Sequence, residues 1–349
     1  MDQSNFTAHN FDEIISLKNL FASWDEFKRH KNRRPDVLAF EHHLEDNIFQ
    51  LHQDLKSGRY RHGGYSTFRI CDPKPRTISK ASVRDRVVQH AVFNELDRIF
   101  DSRFIYHSYS SRLDKGSHLA VANLAKALRQ ASRNYYTGNI FVLKCDIKKF
   151  FANINHRKSL EIIKRKISDE IFFRLVEEII GSFFTPADKF PERDRVSGLP
   201  LGNVTSQIFA NIYLNELDQF IKHRLKAKHY FRYADDFVIV HQNTDYLIDA
   251  LINIDCFLQF ELDLQLHPNK VEIRKFSQGI DFLGYVILPR YAVLRTKTKK
   301  RMFKKIRIKK DLLNKGLIEE GSFNQSMQSY LGLLKHCRGQ KLEMKLRFI

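Results

Sequence analysis

Two adjacent carboxylates, Asp235 and Asp236, sit inside the run Arg232-Tyr233-Ala234-Asp235-Asp236-Phe237-Val238-Ile239-Val240. Aromatic and β-branched flanks favour a strand on each side, with the acids at the tight turn between. Taken alone, two acids at a hairpin tip are a solvated turn, because they repel each other and gain nothing by burial. A second strand that also ends on an acid changes that reading. In Phe141-Val142-Leu143-Lys144-Cys145-Asp146, period-2 alternation puts Phe141, Leu143 and Cys145 on one face and Val142, Lys144 and Asp146 on the other. Neighbouring strands can hold Asp146 and Asp235 around hard cations. Two Mg²⁺ ions about 3.5–4 Å apart are the standard device for in-line phosphoryl or nucleotidyl transfer.

Other elements must place those strands. Helical periodicity is expected from Phe11 to about Leu55, with Ile14, Leu17, Leu20, Phe21 and Trp24 on one face. Pro35 separates that helix from a second one through Leu38, Leu44, Phe49 and Leu51. A strand over Tyr65–Ile70 leads into the basic hairpin Asp72-Pro73-Lys74-Pro75-Arg76-Thr77-Ile78, and Arg84-Asp85-Arg86 opens the next helix. The loop Ser197–Gln207 carries Gly198 and Gly202, which let backbone approach a ligand closely, and Ser206 suits the N-cap of the following helix. Past the acids, Lys297–Lys310 is packed with Lys and Arg while Phe303, Ile306 and Leu313 recur at helical spacing. A further helix carries Phe323, Met327, Tyr330, Leu331 and Leu334.

Composition bounds the class. The 349 residues include 59 Lys and Arg against 40 Asp and Glu, a net charge of +19, which points to a polyanionic partner, nucleic acid first. A hydrophobic content of 43% argues a folded chain. Cys71, Cys145, Cys256 and Cys337 are far apart and lack metal-ligand spacing, as expected of reduced thiols. The N-terminus is polar, and no apolar run approaches the ~18 residues of a membrane span. A cytoplasmic protein without membrane contact is expected.

On these residues the chain resembles reverse transcriptases. Asp146 through Phe151 looks like their motif A, Ser197–Gln207 motif B, Tyr233-Ala234-Asp235-Asp236 motif C, Leu264–Lys270 motif D and Ile280–Tyr285 motif E; Ser108–Arg112 looks like motif 2. The resemblance implies an α/β right-hand polymerase with an antiparallel palm sheet packed on helices. Its divisions would be an N-terminal helical region (1–60), fingers (61–135), palm (136–288, with an insert at 156–196) and a basic helical thumb (289–349). It implies Asp146, Asp235, Asp236 and the backbone of Ile147 as ligands of two Mg²⁺, with Mn²⁺ able to substitute, and Lys270 as the acid that protonates pyrophosphate. It also implies that Arg76 and Arg112 contact the triphosphate or nucleic acid, that Ile147, Leu201, Gly202 and Gln207 contact substrate, and that Phe151 lies beneath the incoming sugar. From sequence alone, Arg76 reads equally as a surface residue, Lys270 as a surface charge and Phe151 as a core residue at a strand-to-helix junction. Lys304, Lys305, Lys309 and Lys310 are the expected contacts to an RNA/DNA hybrid; a membrane-surface helix is the competing reading.

Gly202-Asn203-Val204-Thr205-Ser206-Gln207 carries Gln207 where group II intron and retron enzymes usually have Pro. That Gly-x-x-x-Ser-Gln pattern resembles diversity-generating retroelement enzymes. Membership implies dNTPs as substrates, a dedicated template RNA, misincorporation opposite adenine and a small basic accessory protein. From the 349 residues, the maturase and endonuclease regions of intron enzymes are expected to be lacking. The alternatives are an antiphage defence reverse transcriptase, working with a structured non-coding RNA, an RNA-dependent RNA polymerase, and a nucleic-acid-binding protein with a dead polymerase core.

Overall fold

The computed structural model describes residues 11–71, 74–135, 139–185 and 196–349. In chain order it runs α1 (Phe11–Ile14), α2 (Leu17–Lys28), α3 (Pro35–Glu41), α4 (Leu44–Lys56), β1 (Tyr65–Ile70), β2 (Arg76–Ala81), α5 (Val83–Phe100) and α6 (Ser117–Ala131). Then come β3 (Phe141–Asp146), α7 (Phe150–Asn153), α8 (His156–Lys164), α9 (Glu170–Gly181), α10 (Val204–Gln219), β4 (His229–Tyr233), β5 (Asp236–His241) and α11 (Thr244–Leu262). The chain closes with β6 (Glu272–Lys275), β7 (Ile280–Phe282), β8 (Tyr285–Ile287), β9 (Ala292–Leu294), α12 (Thr296–Asn314), α13 (Glu320–Leu334) and α14 (Gln340–Arg347).

Two compact units emerge. The first comprises Met1–Tyr106, Ile147–Arg224 and Ile254–Leu266. Its core is helical, with α5 packed on α2 and α10. Leu20, Trp24 and Phe27 recur every three or four residues on α2 and are buried, as are Val87, Val88, Ala91 and Val92 on α5. Burying a Leu, Phe or Val side chain of this kind stabilises the fold by roughly 1.5–3 kcal/mol relative to exposure. Local signals set the helix starts: Ser16 and Ser82 each accept a hydrogen bond from the backbone three residues on, and Pro35 opens α3 at its first turn. The expected second N-terminal helix is two. A break at His42–His43 resets the helical phase, so Val37, Ile48, Leu51 and Leu55 fill the core while Leu38 and Phe49 stay exposed.

The second unit comprises His107–Asp146, Leu225–Asn253 and His267–Ile349. Its main sheet is antiparallel in the order β4-β5-β3-β6. On one sheet face Val142, Val238 and Val240 join a core completed by Leu124 and Leu128 of α6, Phe282 and Tyr285, Met302 and Ile306 of α12, and Leu331 and Leu334 of α13. Lys144 and Asp146 share that face by period-2 alternation, so the face turns from apolar to charged towards the end of β3. The strands β7, β8 and β9 form a separate antiparallel sheet, which extends the hairpin expected at Ile280–Tyr285 by one strand. Among the described residues no helix is long and apolar enough to cross a membrane, and no disulfide joins any of the four cysteines.

Candidate active site

β3 ends on Asp146 and β5 begins on Asp236, and the antiparallel register sets the two directly opposite. Tyr233 pairs with Asp236, which leaves only Ala234 and Asp235 to make the turn. Ala234 adopts a left-handed φ of 51°, which costs a residue with a Cβ about 1–2 kcal/mol. Asp146, Asp235 and Asp236 thus stand at one end of the sheet. Oδ1 of Asp236 is buried with no hydrogen-bond partner among the described residues. Burial, and then the negative charges of Asp146 and Asp235, push the Asp236 carboxyl up to about 6 against the opposing pull of Lys144 and Arg295.

Cations answer the acids. Lys270 Nζ lies 2.6 Å from Asp146 Oδ1. The loop bearing Lys270 is tied to the same residue, because His267 N donates to the Asp146 carbonyl at 2.7 Å and Lys270 N donates to His267 O at 3.0 Å. Lys144 Nζ donates to the backbone carbonyl of Asp281 at 2.8 Å, and Arg295 pairs with the Asp281 carboxylate. Among the described residues no three acidic, His or Cys side chains converge as a ready-made metal cage. In kind, however, the donors suit hard cations: three carboxylates, one with an unclaimed buried oxygen.

A scan against protein families matches residues 71–287 to "Reverse transcriptase (RNA-dependent DNA polymerase)". The chain belongs to the reverse transcriptase family. Among curated relatives, Protein YkfC of Escherichia coli is 28% identical over 68% of this chain and 70% of its own length. The group II intron-encoded protein LtrA of Lactococcus lactis is 25% identical over 77% of this chain and 53% of its own. The retron Ec73 reverse transcriptase of Escherichia coli is 24% identical over 74% and 78%. Other relatives are much longer, and the chain spans about a fifth of the putative COX1/OXI3 intron 1 protein of Saccharomyces cerevisiae. A solved telomerase from Candida albicans aligns over 80% of this chain and 56% of that one, with a TM-score of 0.48 and 14% identity.

This reverse transcriptase brings Asp146, Asp235, Asp236 and Lys270 together in its second unit. Arg112 lies in that unit too, its Nη1 donating to Ser108 O at 3.0 Å. On α12, Lys304 and Lys305 are exposed. Lys309 instead donates to Ser326 Oγ at 2.6 Å and to Ser322, and Lys310 stands 5.4 Å from the Phe323 ring. The last two are therefore engaged with α13.

The remaining candidates lie in the first unit. Arg76 opens β2 and is exposed, while Asp72 and Pro73 of its hairpin lie outside the described residues. Ile147 is buried and forms an isolated bridge with Leu266. Phe151 is half-buried beside the buried Phe150 ring, and its carbonyl accepts from Leu199 N at 2.8 Å. The glycine loop is clasped to β2: Ser79 N donates to Leu201 O at 2.9 Å, and Asn203 Nδ2 donates to Ser79 O at 2.7 Å. Gly202 sits at φ 110°, where a Cβ would come 2.6 Å from Ile78 Cγ2. Asn203, not Ser206, is the N-cap of α10. Its side chain is spent on β2, and Ser206, already inside the helix, donates to Pro200 O at 2.7 Å.

Gln207 is exposed at the start of α10 and lines a cavity of about 390 Å³ with Gly202, Phe27, Phe68 and a set of cations. Those cations, Lys31, Arg34, Lys80 and Arg86, were not singled out from sequence; their only signal is the general excess of base. Asp36 accepts from Arg86 at 2.6 Å and Lys80 at 3.0 Å. Burial raises the Asp36 carboxyl, but these two partners outweigh it and hold it below its usual range. Lys31 and Arg34 have no acid partner among the described residues. His90, also on the cavity wall, is driven down to about 4 by burial and the nearby Lys31 and Arg86.

Proposed function

We propose that this reverse transcriptase copies a template RNA into DNA by nucleotidyl transfer at Asp146, Asp235 and Asp236. The observation that carries it is the direct opposition of Asp146 and Asp236 with Asp235 at the turn between strands, in a chain of this family. Two Mg²⁺ ions, or Mn²⁺ in their place, would be held by these carboxylates and would supply activation of the primer 3′-hydroxyl and stabilisation of the departing pyrophosphate. The carboxylates set where the reacting groups meet, and their mutual repulsion makes the site selective for cations. The cavity with Lys31, Arg34, Lys80 and Arg86 suits phosphates of the template strand, and the exposed lysines of α12 suit the product duplex. Fingers (61–135), palm (136–288) and thumb (289–349) are our assignment of these parts.

Phe151, five residues after Asp146, acts in this proposal as the steric barrier to a ribose 2′-hydroxyl. The test is single-nucleotide extension on an RNA template with matched dNTP and rNTP. The wild type should prefer dNTP, and Phe151→Val should raise relative rNTP use by at least about tenfold, since each 1.4 kcal/mol of lost clash is a factor of ten. A wild type that uses both equally sinks the assignment.

Within the family, Gly202-x-x-x-Ser206-Gln207 supports the diversity-generating class, with adenine-directed errors and a small basic accessory protein. The second reading is an antiphage defence reverse transcriptase working with a structured non-coding RNA. Sequencing the cDNA made on a defined RNA separates them: substitutions concentrated opposite template adenines support the first, uniform fidelity the second.

A further inference from the structure

Lys270 occupies a position that its expected role does not explain. A lysine that only waits to protonate pyrophosphate has no reason to be bound to an acid of the site, yet its Nζ lies 2.6 Å from Asp146 Oδ1. The pair is partly withdrawn from water, with 16% of the Asp146 side chain and 38% of the Lys270 side chain exposed. Two backbone hydrogen bonds, His267 N to Asp146 O and Lys270 N to His267 O, keep the lysine's loop anchored to its partner. Lys144 and Arg295, the other cations near the cluster, are both tied to Asp281. Among the described residues, Lys270 is therefore the cation paired with Asp146.

We propose that Lys270 is a built-in counter-ion which competes with divalent cation for Asp146, so that the lysine is released for proton donation only when the site is loaded. This rests on the proposed metal-dependent reading of the three acids. An ammonium and a divalent ion held by one carboxylate would repel each other strongly at contact distance. The apparent metal affinity is then reduced by the fraction of molecules in which the ion pair is closed. Removing the lysine should tighten metal binding even as it slows synthesis. A side chain that served only as an acid would slow synthesis and leave metal affinity alone.

The test is Mn²⁺ binding to the chelator-stripped full-length chain, followed by the loss of the free-ion electron paramagnetic signal, without nucleotide or nucleic acid. Lys270→Met should lower the dissociation constant about tenfold, Lys270→Gln should do the same, and Lys270→Arg, which keeps the charge, should stay near wild type. Folding of each variant is checked by its melting in chelator. Equal Mn²⁺ affinity in wild type, Lys270→Met and Lys270→Gln overturns the exchange while leaving the metal-dependent reading intact. If neither the wild type nor the Lys270 variants bind Mn²⁺, the underlying reading falls and the exchange falls with it.

Discussion

At the carboxylate end of the sheet, Asp146, Asp235 and Asp236 come from two strand ends and the turn beside them. The cavity of Lys31, Arg34, Lys80 and Arg86 is assembled differently, from the segment between α2 and α3, from β2 and from α5. Both places gather like charge. In the first, a few atoms at fixed register leave one carboxylate oxygen buried without a hydrogen-bond partner among the described residues. In the second, the charge is spread over a wall and partly relieved by Asp36. A compact cluster should fail all at once when one member is lost, while a distributed one should weaken by degrees.

The largest effect expected is at the compact site. Asp235→Asn should reduce DNA synthesis by at least about 10³-fold while RNA affinity stays within about threefold, since phosphate contacts come from basic residues elsewhere. Extension and binding assays on one preparation check it, and retained synthesis would move the catalytic centre.

Next comes the opposite pH response of the two places, read in chelator by urea unfolding. Asp236 holds its proton up to about pH 6 when folded but releases it near 4 when unfolded, so stability attributable to it falls as pH rises through that window. His90 is the mirror case. Folded, it refuses a proton down to about 4, whereas unfolded it accepts one near 6.5, so its contribution is lost as pH falls. Each amounts to on the order of 3 kcal/mol. Asp236→Asn and His90→Gln should flatten the profile in opposite senses; two variants parallel to wild type would show that neither charge is strained.

Graded loss should mark the cavity. Arg86→Met, at a buried guanidinium, should cost about 1–2 kcal/mol of stability and weaken RNA binding several-fold, with Lys80 still neutralising Asp36. Lys80→Met should do less, because Lys80 is more exposed.

The smallest effects belong to α12. Replacing Lys304 and Lys305 with Gln should lower the salt slope of template–primer binding by up to about one unit each. Lys309→Gln should instead loosen α12 from α13 by about 1 kcal/mol, because its ammonium is bonded to Ser322 and Ser326. Equal slopes for all three changes would erase the distinction.

The strands of the compact site were legible because strand period and turn chemistry are local properties: β3 and the Tyr233–Asp236 turn lie where alternation puts them, whereas the register that sets Asp146 opposite Asp236 comes from the fold. The wall of cations was not, because Lys31 and Lys80 are ordinary surface lysines until separate elements meet. The same holds for Asp281 and Arg295, which gain meaning only from the fold around Lys144. Ser206 shows a third kind of miss: a good N-cap residue by type was outranked by Asn203, whose amide also had strand backbone to satisfy.

The opposition of Asp146 and Asp236 also bears on how the ladder breathes. A strand pair whose terminal rung joins two carboxylates opens from that end first, so backbone amides there should exchange with solvent sooner than those around Leu143 and Ile239 at the ladder's centre. The carboxylate end of this sheet should thus be its frayed end, and a cation settling there would act as its clasp.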